Sequence, residues 1–172
     1  MQSISSPFVP WVARPNEHER LVADLVDQRF FGPVAITTSL SGARGMGKTR
    51  LARAVCGDPR VIEAFPDGIF WVTLGESLSP LELLSRMERL VYDLTGEQRG
   101  LTDLRAAEEH LHGLIHPSKV LLVLDEANDA ELVRPFLHTG PGGGVLMITY
   151  SQDNLSLGAR LTPVDIMVTG EA

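Results

Sequence analysis

The stretch Gly42-Ala43-Arg44-Gly45-Met46-Gly47-Lys48-Thr49 matches the pattern G-x-x-x-x-G-K-[ST] at every defined position. A strand-like run at residues 34–39 precedes it, and a helix-like run at residues 50–55 follows it. In a strand–loop–helix unit of this kind, glycines let backbone N–H groups point inward, and the helix N-terminus favours an anion. The stretch therefore predicts a phosphate-binding loop.

The side chains of this loop suit a nucleotide phosphate. Lys48 is expected to reach the β- and γ-phosphates, and the Thr49 hydroxyl to bind Mg²⁺. Lys48 is one of only two lysines among 15 basic residues, and its compact ammonium fits such a cradle better than a planar guanidinium. Arg44 either adds charge near the phosphates or, as we favour, faces solvent. The predicted phosphate-binding residues are Gly42, Ala43, Arg44, Gly45, Met46, Gly47, Lys48 and Thr49.

An aliphatic run at residues 120–124 ends in Asp125 and Glu126. Asp125 is predicted to hold Mg²⁺ through water, and Glu126 to polarise an attacking water. The pattern is weak alone but strong beside the loop, because the carboxyl ends of parallel strands share one crevice. Thr149, at the end of a later run, either approaches the γ-phosphate or satisfies backbone groups at its strand end.

Short apolar runs alternate with amphipathic segments along the chain, which predicts an α/β protein with a parallel sheet covered on both faces. Asn16 is expected to cap the first helix, and Ser79 and Glu82 to form a capping box that starts another helix ended by Gly96. Further helices are expected after Thr102 and after Asn128 or Asp129. Strands are predicted at residues 34–39, 69–74, 119–124, 145–149 and, more weakly, 163–168.

Composition limits the partners. The 172 residues are 44% hydrophobic and carry a formal net charge of −7, which suits one soluble domain and disfavours a broad nucleic-acid surface. The single cysteine excludes an internal disulfide. No secretory leader or membrane-spanning run is evident, so we expect a cytoplasmic protein that binds no membrane. The five histidines are interpreted as surface or helix-end residues.

Together, the loop, the L-L-V-L-D-E strand, the block F-P-D-G-I-F-W-V-T-L-G at residues 65–75 and the leader V-A-R-P at residues 12–15 resemble the NB-ARC domain of bacterial STAND ATPases. These are relatives of apoptotic-protease activators and plant resistance proteins. The resemblance covers nearly the whole chain. It implies a P-loop NTPase fold, a three-layer αβα sandwich whose five-stranded parallel sheet has the order 2-3-4-1-5.

The resemblance also implies ATP or ADP bound with Mg²⁺, and a switch between a closed ADP form and an oligomer-forming ATP form. Val12 and Arg14 match the leader that contacts adenine, and Arg50 extends the phosphate-loop match. Asp125 and Glu126 match the pair that holds Mg²⁺ and activates water. Protein partners would act through flanking domains, with nucleotide-dependent self-association of the full-length protein.

Two features depart from the family pattern. Where the family usually has T-T-R after its sensor strand, this chain has Thr149-Tyr150-Ser151. We expect residues 1–172 to form a single nucleotide-binding domain, with a leader at 7–33 and a core at 34–168, without the helical and winged-helix subdomains that follow in the family.

Three functions are compatible with these residues. The leading hypothesis is an ATP/ADP-binding switch module of a signalling protein, with slow or no hydrolysis in isolation. The second is an active P-loop ATPase of another branch, such as an AAA+ or helicase-like enzyme. The third is a degenerate P-loop domain that serves as a protein-interaction scaffold.

Overall fold

A five-stranded, all-parallel sheet forms the centre of the computed structural model, which describes residues 14–37, 47–151 and 156–164. The strand order is β2-β3-β4-β1-β5, which confirms the predicted fold class. The strands are β1 (Val34–Thr37), β2 (Gly68–Thr73), β3 (Val120–Asp125), β4 (Gly144–Ile148) and β5 (Arg160–Pro163).

Helices cover both faces of this sheet. A short 3₁₀ helix, Arg134–Phe136, continues from the sixth α-helix. The α-helices are α1 (Pro15–Val26), α2 (Lys48–Cys56), α3 (Pro59–Ala64), α4 (Pro80–Thr95), α5 (Leu104–Ile115) and α6 (Ala130–Val133). Within the described part of the chain, no helix is long and apolar enough to cross a membrane.

Strand β3 lies between β2 and β4, and burial on both faces explains its continuously aliphatic sequence. Val120, Leu122 and Leu124 pack into the cluster under α4 and α5, whereas Leu121 and Val123 pack into the cluster under α1 and α2. All five side chains are at most 1% exposed. Successive side chains of a strand point to opposite faces, so a strand covered on both sides buries every residue.

The last strand starts earlier than predicted. The run at residues 163–168 was expected, but β5 begins at Arg160, whose backbone N–H donates to the carbonyl of Pro33 at 2.9 Å. The charged Arg160 is tolerated because its guanidinium reaches Asp24 at 3.3 Å and Asp27 at 3.1 Å. Residues 165–168 lie outside the described part of the chain.

Helix ends follow local capping chemistry. The predicted capping box of α4 is present: Ser79 N donates to Glu82 at 2.8 Å, and Glu82 N donates to the Ser79 hydroxyl at 3.3 Å. The Ser79 backbone N–H and hydroxyl both donate to Glu82 Oε2 and lower the pKa of Glu82. The Asn16 prediction is wrong, because α1 begins at Pro15 and places Asn16 inside its first turn.

The short helix α3 was not predicted. The Asp58 carboxylate accepts a hydrogen bond from the Arg60 backbone N–H at 3.0 Å, and Pro59 occupies the first helical position. This Asp-Pro start is a recognised helix N-terminus. It was missed because the helix has only 6 residues, too few to show helical periodicity.

Candidate functional site

The start of α2 carries the motif lysine. Gly47, with φ +74°, precedes the helix, and Lys48 and Thr49 are its first two residues. Their position gives them the positive end of the helix dipole and its unpaired N–H groups. The predicted contacts at Gly42, Ala43, Arg44, Gly45, Met46 and Val12 lie outside the described residues.

The structure brings the two acidic-strand residues beside this helix. The Thr49 hydroxyl donates to Asp125 Oδ2 at 3.4 Å across 76 residues of sequence. Asp125 Oδ1 accepts from the Glu126 backbone N–H at 2.9 Å, which holds the carboxylate at the end of β3. Glu126 has φ +52°, an uncommon conformation outside glycine that often marks functional positions.

Lys48 lies in a mixed electrostatic environment. Partial burial lowers the pKa of its ammonium, and the charge of Asp125 opposes that shift. A partly buried cation gains from an additional anion in the same cavity.

A cavity of about 290 Å³ opens where the strands end, and it contains both motifs. Its walls come from α2 and from the segments that follow β2, β3 and β4. The lining residues are Lys48, Thr49, Glu76, Asp125, Glu126, Asn128, Ile148, Thr149 and Tyr150. Ligands of open α/β sheets bind in this position, outside the carboxyl ends of the strands.

A second cavity, of about 240 Å³, lies at the opposite end of the sheet. Its wall includes Val34 and Gly144, the first residues of β1 and β4. None of the lining residues belongs to the loop or acidic motifs. We therefore place the candidate site at the carboxyl ends.

The hydroxyl of Thr149 is already engaged. It donates to Asn128 Oδ1 at 3.1 Å and accepts from the Ser151 backbone N–H at 3.0 Å. Asn128 Oδ1 also accepts from the Tyr150 backbone N–H at 3.0 Å. Of the two roles considered for Thr149, this geometry shows the backbone-ordering one, with the side chain 1% exposed.

Three wall residues were missed by the sequence analysis: Glu76, Asn128 and Tyr150. The Tyr150 hydroxyl donates to Glu76 Oε1 at 3.1 Å, linking the segments after β2 and β4. Their signal was position alone, because each follows the carboxyl end of a strand in a parallel sheet.

Two other predicted residues lie off this wall. Arg14 precedes α1 and forms a 3.8 Å ion pair with Glu17. Arg50 is an exposed residue of α2. Neither lines the cavity formed by the described residues, and their nucleotide contacts stay predictions.

The family model for the NB-ARC domain matches residues 16–153, which include Lys48, Thr49 and the Asp125–Glu126 pair. The chain belongs to the NB-ARC family. It is a nucleotide-binding P-loop module, as the NB-ARC match and the cavity at the motif residues indicate.

Regulatory and disease-resistance proteins are similar to this NB-ARC chain. The regulatory protein AfsR of Streptomyces coelicolor is 33% identical over 144 residues, which are 82% of this chain and 14% of AfsR. The probable disease resistance protein RXW24L of Arabidopsis thaliana is 29% identical over 141 residues, 78% of this chain and 15% of that protein. The chain thus spans about a seventh of these relatives.

A solved structure shares the fold. The Aeropyrum pernix ORC2 protein, in ADPNP and ADP complexes, matches with a TM-score of 0.55 over 88% of this chain and 45% of that chain. The sequence identity is 21%, so this similarity supports the architecture of the NB-ARC domain and nothing finer.

Proposed function

We propose that this NB-ARC chain is an ATP/ADP-binding switch module of a regulatory protein, with slow or no ATP hydrolysis in isolation. The observation that carries the proposal is the Thr49–Asp125 contact beside Lys48 on one cavity wall. A cation and a hydroxyl at a helix N-terminus, beside a carboxylate at a strand end, are the groups that bind a nucleotide polyphosphate with Mg²⁺.

Two kinds of group in this chain would bind the phosphates. Lys48 Nζ holds the negative charge of the outer phosphates, and the N–H groups at the start of α2 add hydrogen bonds. Among the described residues that line the cavity, Lys48 is the one cation, and it faces three carboxylates, those of Glu76, Asp125 and Glu126. We therefore expect binding to depend strongly on Lys48.

The donor set fits Mg²⁺. Thr49 Oγ1 and Asp125 Oδ2 are hard oxygen donors that already approach each other at 3.4 Å, and Mg²⁺ prefers one or two such protein ligands together with waters and phosphates. When bound, Mg²⁺ would neutralise charge on the β- and γ-phosphates. Thr49 and Asp125 would hold it, in the proposed arrangement.

The described wall supports the proposal of slow hydrolysis. In this proposal, Glu126 orients a water and accepts its proton. Among the described residues that line this cavity none is an arginine, and an arginine finger is worth about 10³–10⁵ in rate for P-loop enzymes. We expect turnover to be slow unless a partner supplies that charge.

The switch role rests on the relatives. AfsR is named a regulatory protein, and the segment that it shares with this chain makes up 14% of AfsR. We propose that the module works within a longer protein whose flanking domains bind protein partners and self-associate according to the nucleotide.

Lysine substitution tests nucleotide binding. Lys48→Ala should weaken ADP and ATP binding by about 10- to 100-fold, because it removes a charge-assisted contact of about 1.5–3 kcal/mol. Lys119→Ala is the matched control: it removes the other lysine, which lies at the amino end of β3. Equal affinity of Lys48→Ala and the unsubstituted chain, measured by calorimetry, would contradict the proposal.

A second candidate, an active ATPase, is favoured by the carboxylate of Glu126 directly after Asp125. Steady phosphate release by the isolated chain, abolished in Glu126→Gln, would support it. A scaffold without nucleotide would instead release no ATP or ADP when the purified protein is denatured.

A further inference from the structure

Three histidines come together at the end of the sheet opposite the nucleotide cavity. His112 lies in the last turn of α5, His116 directly follows that helix, and His138 follows the 3₁₀ helix. The ring centroids are 5.2 Å apart for His112 and His116, and 5.3 Å apart for His112 and His138. All three residues are exposed.

The backbone fixes this arrangement. His112 and His116 are four residues apart, so they share one helix face. Their interpretation as surface or helix-end residues missed this H-x-x-x-H spacing. A Cβ at Gly140 would overlap the carbonyl oxygen of His116, so the chain just after His138 passes directly against the end of α5. Phe136, fully buried in the core cluster that includes α5, anchors the other side of His138.

The two ring spacings about His112 suit a shared metal ion. With Zn–N bonds of about 2.0–2.1 Å and tetrahedral angles, the centroids of two coordinating imidazoles lie about 5.2 Å apart. The rings now meet at interplanar angles of 90° and 54°. In this arrangement the nitrogens of the three rings do not all lie within 4.8 Å of one another. Binding of one ion therefore requires rotation of these exposed side chains, which such residues make readily.

Another cluster of possible ligands is less suitable. Ligand atoms of His18, Glu19 and Asp58 lie within 4.8 Å of one another. However, Arg60 already donates to Glu19 at 2.7 Å and to Asp58 at 2.9 Å. A metal ion would have to displace this guanidinium, whereas the ring contacts described for the three histidines are with one another.

We propose that His112, His116 and His138 bind one divalent transition-metal ion of the class that imidazole prefers, with Zn²⁺ as the probe. Three neutral imidazoles leave a fourth tetrahedral position for water or another donor. The ion would tie the end of α5 to the connection between the 3₁₀ helix and β4. This site is independent of the proposed nucleotide site.

Calorimetric titration of the chain with ZnCl₂, without an oligohistidine tag, tests the site. We expect one Zn²⁺ per chain, micromolar affinity and an unchanged monomer mass by sedimentation. His112→Ala and His138→Ala should each weaken the affinity at least about tenfold. The substituted side chains are exposed, so far-ultraviolet circular dichroism should show the same fold for all variants.

His18→Ala is the matched control, because it removes a histidine from the competing cluster. Unchanged Zn²⁺ affinity in this variant, together with losses in the other two, supports the site. Loss in His18→Ala alone, no binding by the unsubstituted chain, or one ion shared by two chains would each overturn it. Loss in His112→Ala without loss in His138→Ala would also overturn it, since the site requires the third ligand.

Discussion

Asn128 shows how one side chain organises the end of a strand. Its single carboxamide oxygen accepts from the Thr149 hydroxyl and the Tyr150 backbone N–H. The backbone N–H of Asn128 donates to the Glu126 carbonyl at 3.0 Å. The segments after β3 and β4 are therefore joined beside the cavity. Tyr150, in turn, holds the carboxylate of Glu76 on the cavity wall.

Glu76 should disfavour the more highly charged nucleotide. ATP carries one more negative charge than ADP. Removing a wall carboxylate in Glu76→Gln should therefore raise the affinity for ATP more than the affinity for ADP. We expect the ratio of ATP affinity to ADP affinity to rise by about 3- to 10-fold. Titration with both nucleotides measures that ratio. Glu97→Gln, which removes an exposed carboxylate paired with Arg99, should leave it unchanged.

This prediction can fail separately from the proposed function. An unchanged ATP/ADP ratio in Glu76→Gln, with both nucleotides still bound, would contradict the role of Glu76 alone. Loss of all nucleotide binding in the unsubstituted chain would contradict the function itself.

At the scale of helices and strands, the sequence predicts the position of an element well where its periodicity or capping signal is strong. The continuous aliphatic run of β3 and the Ser79–Glu82 capping box identified their elements within one residue. The start of β5 could not be predicted, because it depends on pairing with β1 and on the distant partners Asp24 and Asp27. Tertiary contacts of this kind leave no local pattern.

Two glycines allow a test of the helix boundaries. Gly96 ends α4 with φ +73°, so Gly96→Ala should reduce the free energy of unfolding by about 1–2 kcal/mol. Gly113 lies inside α5, and a Cβ there meets no atom within 4 Å. Gly113→Ala should therefore raise that free energy by about 0.5–1 kcal/mol.

Urea denaturation measures both changes. Opposite signs are expected, because the same substitution meets a left-handed conformation in one case and a helical one in the other. A stabilising effect of Gly96→Ala would show that α4 does not end there in solution.

At the scale of the whole molecule, the site could be predicted only in part. The convergence of Thr49 and Asp125 follows from the rule that parallel strands end at one edge. The contributions of Glu76 and Tyr150 depend on how the segments after β2 and β4 face each other, which no spacing encodes. The histidine cluster likewise depends on the close approach of Gly140 to His116.

Acid should weaken the whole fold partly through the contact between α1 and α3. The hydrogen bonds from Arg60 lower the pKa of Asp58 from 3.8 to about 2, and Arg60 also holds Glu19 of α1 at 2.7 Å. The unfolded chain therefore binds a proton at Asp58 before the folded chain does. Stability from this carboxylate is present above its unfolded pKa and is lost as the pH falls toward about 2.

Arg60→Gln should remove most of that contribution. We expect a lower free energy of unfolding than the unsubstituted chain at pH 7 and a shallower decline between pH 5 and pH 3, measured by urea denaturation. The pKa of Asp27 is also lowered to about 2, by bonds from Arg29 and Arg160. Asp27 therefore contributes the same pH dependence to the free energy of unfolding of both proteins. Arg105→Gln, which breaks only an exposed pair with Glu109, should show the same decline in the free energy of unfolding with acid as the unsubstituted chain. If Arg60→Gln showed that same decline as well, the contact between α1 and α3 would not contribute to acid sensitivity.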